Sequence, residues 1–175
     1  EIPLRLVGSE MCIRDRVLIS ILFLPFQTGF EEIMFRGYLM QGAALFFKSK
    51  WISFLFIAIL FGLMHISNPE IKAFGVEVAL PQYILMGLIL GFIAIMDDGL
   101  ELAIGLHLAN NFMAAITFTS EASALQTHAL FKDMNPTGSH LDAIIMFIAG
   151  VIFIGICNKK YKFLKDNIRP EESSL

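Results

Sequence analysis

Two adjacent acids, Glu31 and Glu32, stand four residues ahead of Arg36 inside a stretch that is otherwise almost wholly apolar. Two histidines, His65 and His107, and the pair Asn110-Asn111 lie in further apolar stretches downstream. Placing an ionisable side chain in hydrocarbon costs at least a few kcal/mol, so each of these residues is a candidate for function. Glu32 and Arg36 are spaced i, i+4, which puts them on one helix face and lets them pair. Glu31 points about 100° away around the helix and lacks that partner. An acid without a partner in a low-dielectric setting is suited to moving protons. His107 and Asn111 are also spaced i, i+4 and project two polar groups from one face. A glutamate without a partner, two histidines and an asparagine at matching helical spacings point to a functional cluster rather than to isolated packing residues.

The elements that must position these residues are hydrophobic. Of 175 residues, 56% are hydrophobic and 17% charged, the mean hydropathy is +0.69, and the net charge is −3. This balance argues against a soluble enzyme, a disordered tail and a nucleic-acid partner, and gives no reason to expect a charged partner. Apolar runs approach the roughly 20 residues that cross about 30 Å of hydrocarbon. The expected fold is an all-α, polytopic transmembrane helix bundle of about five hydrophobic elements with membrane lipid around it. The elements cover about 17–47, with a break or bend at Pro25 and Gly29, then 51–66, 82–96, 100–118 and 142–157. The stretches 70–81 and 119–141 are read as connectors, with His128 and His140 solvated. Lysines at 48 and 50 and at 159, 160, 162 and 165 agree with one threading that leaves the C-terminus in the cytoplasm. Counting along the first hairpin places Glu31 and His65 both roughly 22 to 26 Å from its turn, so they can face one another. His107, only about 12 Å beyond Gly99, fits less well unless the bundle is staggered.

Residues 1–16 read EIPLRLVGSEMCIRDR and resemble a translated transposase-type sequencing adaptor, E-I-x-x-R-L-V-G-S-E-M-C-I-R-D-R. They are set aside as a translated artefact. The remaining chain is expected to start near Val17 as an N-terminally truncated fragment, with the first sixteen residues dispensable and unanchored. The transmembrane core then covers 17–165 and a polar cytoplasmic tail 166–175. Cys157 is left alone, so no disulfide forms within this portion.

Three motifs in order carry a resemblance to a family. Glu31-Glu32-Ile33-Met34-Phe35-Arg36 matches E-E-x-x-x-R and continues with Gly37-Tyr38-Leu39; Phe61-Gly62-Leu63-Met64-His65 matches F-x-x-x-H; His107-Leu108-Ala109-Asn110-Asn111 matches H-x-x-x-N. Gly87 to Gly91 looks like the glycine-bearing helix ahead of the third motif. The chain thereby resembles the CAAX-processing and bacteriocin-immunity intramembrane endopeptidases, the type II CAAX prenyl endopeptidase family, over about 29–118. The resemblance implies peptide-bond hydrolysis inside a membrane, acting on a membrane-associated or peptide substrate. Glu31 and His65 would activate water, His107 and Asn111 would stabilise the oxyanion, and Glu32 with Arg36 would support the site. The implied localisation is an integral protein of a bacterial inner membrane. These roles favour a glutamate-type mechanism without a cofactor, with zinc on Glu31, His65 and His107 as the metallo-type alternative.

Other intramembrane protease signatures are missing: the chain contains no H-E-x-x-H, G-x-G-D or G-x-S-x-G. Two readings from other classes stay open. One is a non-catalytic immunity or scaffold protein on the same fold; the other is a proton-coupled transporter.

Overall fold

A computed structural model describes residues 4–6, 10–123 and 129–162. Helix α1 covers Glu10–Glu32 and passes without interruption into a π-helical segment, Ile33–Leu39, and then α2, Met40–Phe47. Of the break or bend expected at Pro25 and Gly29, a break is absent: the helix runs through both. Downstream of the proline, buried Thr28 turns its hydroxyl back onto the Leu24 carbonyl at 2.8 Å and so satisfies itself within the helix. The irregularity lies at the π segment instead, beside the acidic pair.

Lys48 adopts a left-handed conformation (φ 52°) to end α2, and Ser49 caps α3, Lys50–Met64, by accepting from the Ile52 amide. The stretch expected to be a connector is helical. Pro69 opens a short helix α4, Pro69–Phe74, where its missing N–H is harmless. Gly75 (φ 87°) then turns the chain into α5, Val76–Asp97, which begins six residues ahead of the expected Gln82 and contains Pro81 near its start. After the turn at Asp98 come α6, Glu101–Thr117, and finally α7, His140–Tyr161, entered through a Ser139/Asp142 capping box. His140 is exposed, as expected; His128 and residues 163–175 lie outside the described residues.

Between α6 and α7 the connector forms small strands. β1 (Leu4–Leu6) pairs antiparallel with β3 (Phe131–Asp133), and β2 (Phe118–Thr119) pairs parallel with β3. This corrects the expectation that the first sixteen residues are unanchored. Val17 is no boundary in the fold: α1 starts seven residues earlier, because residues 10–16 contain no glycine or proline to stop a propagating helix. Arg16 is buried against the bundle.

The bundle is closest-packed between α3 and α5. These helices run antiparallel: Gly62 lies under Ile84, Gly87 on the backbone of Ala58, and Gly91 on Phe54. Helix α7 runs parallel to α5, with Gly150 against Ile89 and Cys157 beside Met96. The Lys48 turn, the Asp98 turn and the Lys159–Lys160 end therefore share one end of the bundle, as the threading of the basic clusters requires. Helix α1 packs along α6. The stretches Arg14–Phe47, Val76–Asp97 and His140–Tyr161 are long and apolar enough to cross a membrane; α3 is a shorter apolar helix.

Candidate active site

The site is built where the end of α1 meets α6. Glu32 and Arg36 form the i, i+4 pair that their spacing predicts, Nη1 to Oε1 at 2.8 Å, with both side chains almost fully buried. Arg36 donates its other terminal nitrogen to the Gly87 carbonyl at 3.1 Å and lies 4.4 Å over the Phe61 ring. Three helices thus converge on one guanidinium. The contact depends on Gly87: a Cβ there would sit 2.8 Å from the Ala58 carbonyl oxygen, so a side chain would push α5 away from α3.

The same Glu32 oxygen also accepts from His107 Nδ1 at 2.8 Å. A carboxylate acceptor fixes Nδ1 as the protonated nitrogen and turns Nε2 outward. There Nε2 faces Glu31 Oε2 at 3.8 Å, while Gln27 donates to Glu31 Oε1 at 3.1 Å. Glu31 is the accessible member: its side chain is 19% exposed against 0% for Glu32. The two acids diverge around the helix as expected, one into the core and one toward open space.

The stagger that the hairpin arithmetic required is present. Leu100, just ahead of α6, lies against Gly37 of the π segment, so α6 starts level with that segment and His107 two turns on reaches Glu32.

His65 is positioned by a different element. It is the residue after the last turn of α3 and donates Nδ1–H to the Phe61 carbonyl at 2.8 Å. This i, i+4 bond gives F-x-x-x-H a physical meaning, and it leaves Nε2 as the free nitrogen. The Phe61 ring, 2% exposed, touches both His65 (centroids 4.9 Å) and His107 (6.0 Å) and so lies at the junction of the two. Glu31 makes its polar contacts with His107 and Gln27, not with His65, because α1 packs on α6. Asn111, half-buried on α6, accepts from Asn110 at 3.3 Å.

For the zinc alternative on Glu31, His65 and His107, both histidines use Nδ1 in hydrogen bonds and keep Nε2 free, while among the described residues no group of three or more His, Cys, Asp or Glu side chains is placed to hold a metal ion. Tyr83 was not visible as a site residue from sequence. It stacks on His65 at 4.5 Å and 16°, but nothing distinguishes one tyrosine among 21 aromatic residues until α5 is laid against α3.

Comparisons with known proteins agree with the motif reading. The uncharacterized protein YyaK of Bacillus subtilis (strain 168) is 30% identical over 137 residues, 78% of this chain and 46% of that protein, so the chain spans about half the length of this relative. No solved structure matches. The family described as type II CAAX prenyl endopeptidase Rce1-like matches residues 14–113, a range that holds all three motifs. The apolar helices and this match together make it an integral membrane protein of the Rce1-like type II CAAX prenyl endopeptidase family.

Proposed function

We propose that the protein is an intramembrane endopeptidase in which Glu31 activates the attacking water. One observation carries this reading: Glu31 is an accessible carboxylate facing His107 Nε2 at 3.8 Å, beside a Glu32–Arg36 pair buried and occupied with itself. A base must reach its proton directly or through one water, and this acid is the one free to do so.

In the proposed reaction, water held by Glu31 and by His65 Nε2 gives its proton to Glu31 as its oxygen attacks the scissile carbonyl. The Asn111 amide donates to the oxyanion, and His107 donates from Nε2 in the state where both ring nitrogens carry protons, with Nδ1–H held by Glu32. Preorganised donors in a dry site stabilise that charge by several kcal/mol. Glu31 returns the proton to the leaving amine as the C–N bond breaks. Arg36 and Glu32 hold their helices together and keep the His107 ring oriented. No step needs a metal, so cleavage should survive chelation. Loss of cleavage on chelation, restored by zinc, would move the water onto a metal. The substrate is a membrane-associated peptide or protein and the surrounding partner is lipid; nucleic acid has no part. The setting is a bacterial inner membrane with the Lys159–Lys160 end in the cytoplasm.

The test uses purified protein in liposomes and a quenched peptide carrying a farnesylated C-terminal CAAX sequence, beside a proton-flux measurement. Glu31→Gln should abolish cleavage while unfolding within the roughly 0.5 kcal/mol typical of a surface change. Cleavage at the wild-type rate by Glu31→Gln would overturn the mechanism. Proton flux that depends on Glu31, without cleavage, would favour a transporter. Neither activity in the wild type would favour an immunity or scaffold protein.

A further inference from the structure

We infer that Tyr83 is a positioning residue for His65, clamping its imidazole so that Nε2 is presented to the water; this rests on the endopeptidase reading above. His65 gains from such a clamp because its backbone fixes the turn but not the direction of the ring. It lies just past the last residue of α3 at φ −93° and ψ 4°, its N–H on the Gly62 carbonyl at 3.0 Å and its own carbonyl accepting from the Asn68 amide at 2.9 Å. Its side chain is only half-buried.

Three contacts make up for this. Nδ1–H is held by the Phe61 carbonyl at 2.8 Å, the Phe61 ring lies 4.9 Å away at 49°, and the Tyr83 ring lies flat on the imidazole at 4.5 Å and 16°. Tyr83 belongs to α5, the helix packed most closely on α3, through Gly62 under Ile84 and Gly87 on Ala58. It is therefore a packed helix face laid against the turn that carries His65. Its ring is fixed at the far edge too: Asn68 donates to the hydroxyl at 3.0 Å. Asn68 follows His65 by three residues, so the turn that carries the histidine also anchors the tyrosine that holds it. With Nδ1 taken and two aromatic rings packed on the imidazole, Nε2 is the one polar atom of the ring left to act.

The face of Tyr83 holds His65, and the hydroxyl holds Tyr83. Tyr83→Leu removes the first; Tyr83→Phe removes only the second. The chain has four histidines, few enough for histidine-labelled protein in nanodiscs to give resolved imidazole NMR signals, with His65→Gln assigning the relevant one. The expected result is that Tyr83→Leu loses the ring-current shift of the His65 ring protons and lowers kcat on the farnesylated peptide by about ten- to a hundredfold, the loss expected of a group misplaced by about 1 Å. KM should stay near the wild-type value. Tyr83→Phe should keep the shift and most of kcat. Wild-type His65 shifts and kcat in Tyr83→Leu would overturn the proposal, and so would equal losses in the Phe and Leu variants. If Tyr83→Leu does not fold, Tyr83→Met decides: it should lose the ring-current shift of the His65 ring protons, and an unchanged shift would overturn the proposal. If the wild type cleaves nothing, the endopeptidase reading fails while the NMR comparison still decides the role of Tyr83.

Discussion

Glu32 shows why two neighbouring acids are not interchangeable. Its Oε1 accepts from both Arg36 and His107, while its buried Oε2 makes no hydrogen bond. A carboxylate buried in this way is held by its two cationic or donor partners, and removing one partner of a buried pair strands the other at about 3 to 5 kcal/mol. Glu32→Gln and Arg36→Ala should each lower unfolding stability by that amount in detergent, measured on the same preparations that keep their stability with Glu31→Gln. Glu32→Gln should also impair cleavage in whatever fraction remains folded. An amide can present its NH₂ to His107 Nδ1 and release the tautomer that turns Nε2 toward Glu31. Equal stability of the two glutamine variants would show that the buried pair does not support the fold.

At the scale of elements, the contact of α3 with α5 decides whether Arg36 finds its third partner. Gly87→Ala places a Cβ against the Ala58 carbonyl and Cα and cannot be absorbed by a flexible side chain. It should cost about 1 to 3 kcal/mol, as overpacking does. Gly105→Ala is the matched control. Nothing lies within 4 Å of its added Cβ in α6, so the change should be neutral or stabilising by about 0.5 to 1 kcal/mol. Similar losses in both would remove the close approach as the cause. The local parts of this arrangement could be read from sequence: Glu32 with Arg36 from i, i+4 spacing, and the hydrophobic elements from run length. The helical content of 69–81 could not, because Gly75 and Pro81 signal a connector and only packing shows that Pro69 opens one helix and Pro81 sits near the start of another. His107 on Glu32 was out of reach for a different reason. The two are 75 residues apart, and their meeting depends on where α6 begins in depth, which Leu100 against Gly37 sets. Hairpin depth lets Glu31 and His65 face one another, but depth does not say which neighbour α1 packs on, and so the direct contact of Glu31 with His107 was out of its reach.

For the whole molecule, the lengths of the helices around the site have a consequence for the bilayer. Helix α3 has 15 residues and α6 has 17, so at 1.5 Å per residue they reach only about 22 and 25 Å against roughly 30 Å of hydrocarbon. Helices α5 and α7, at 22 residues each, are long enough for the full thickness. The protein is therefore mismatched to its membrane on the side that carries His65 and His107, and lipid must pinch inward there or the short helices must draw headgroups and water down to them. Either response shortens the path by which water reaches Glu31, so acyl-chain length becomes a control on the reaction. Under the proposed mechanism, the protein reconstituted in bilayers of increasing chain length should cleave progressively more slowly while keeping its unfolding midpoint. A rate indifferent to thickness would show that water arrives by a route the lipid does not shape.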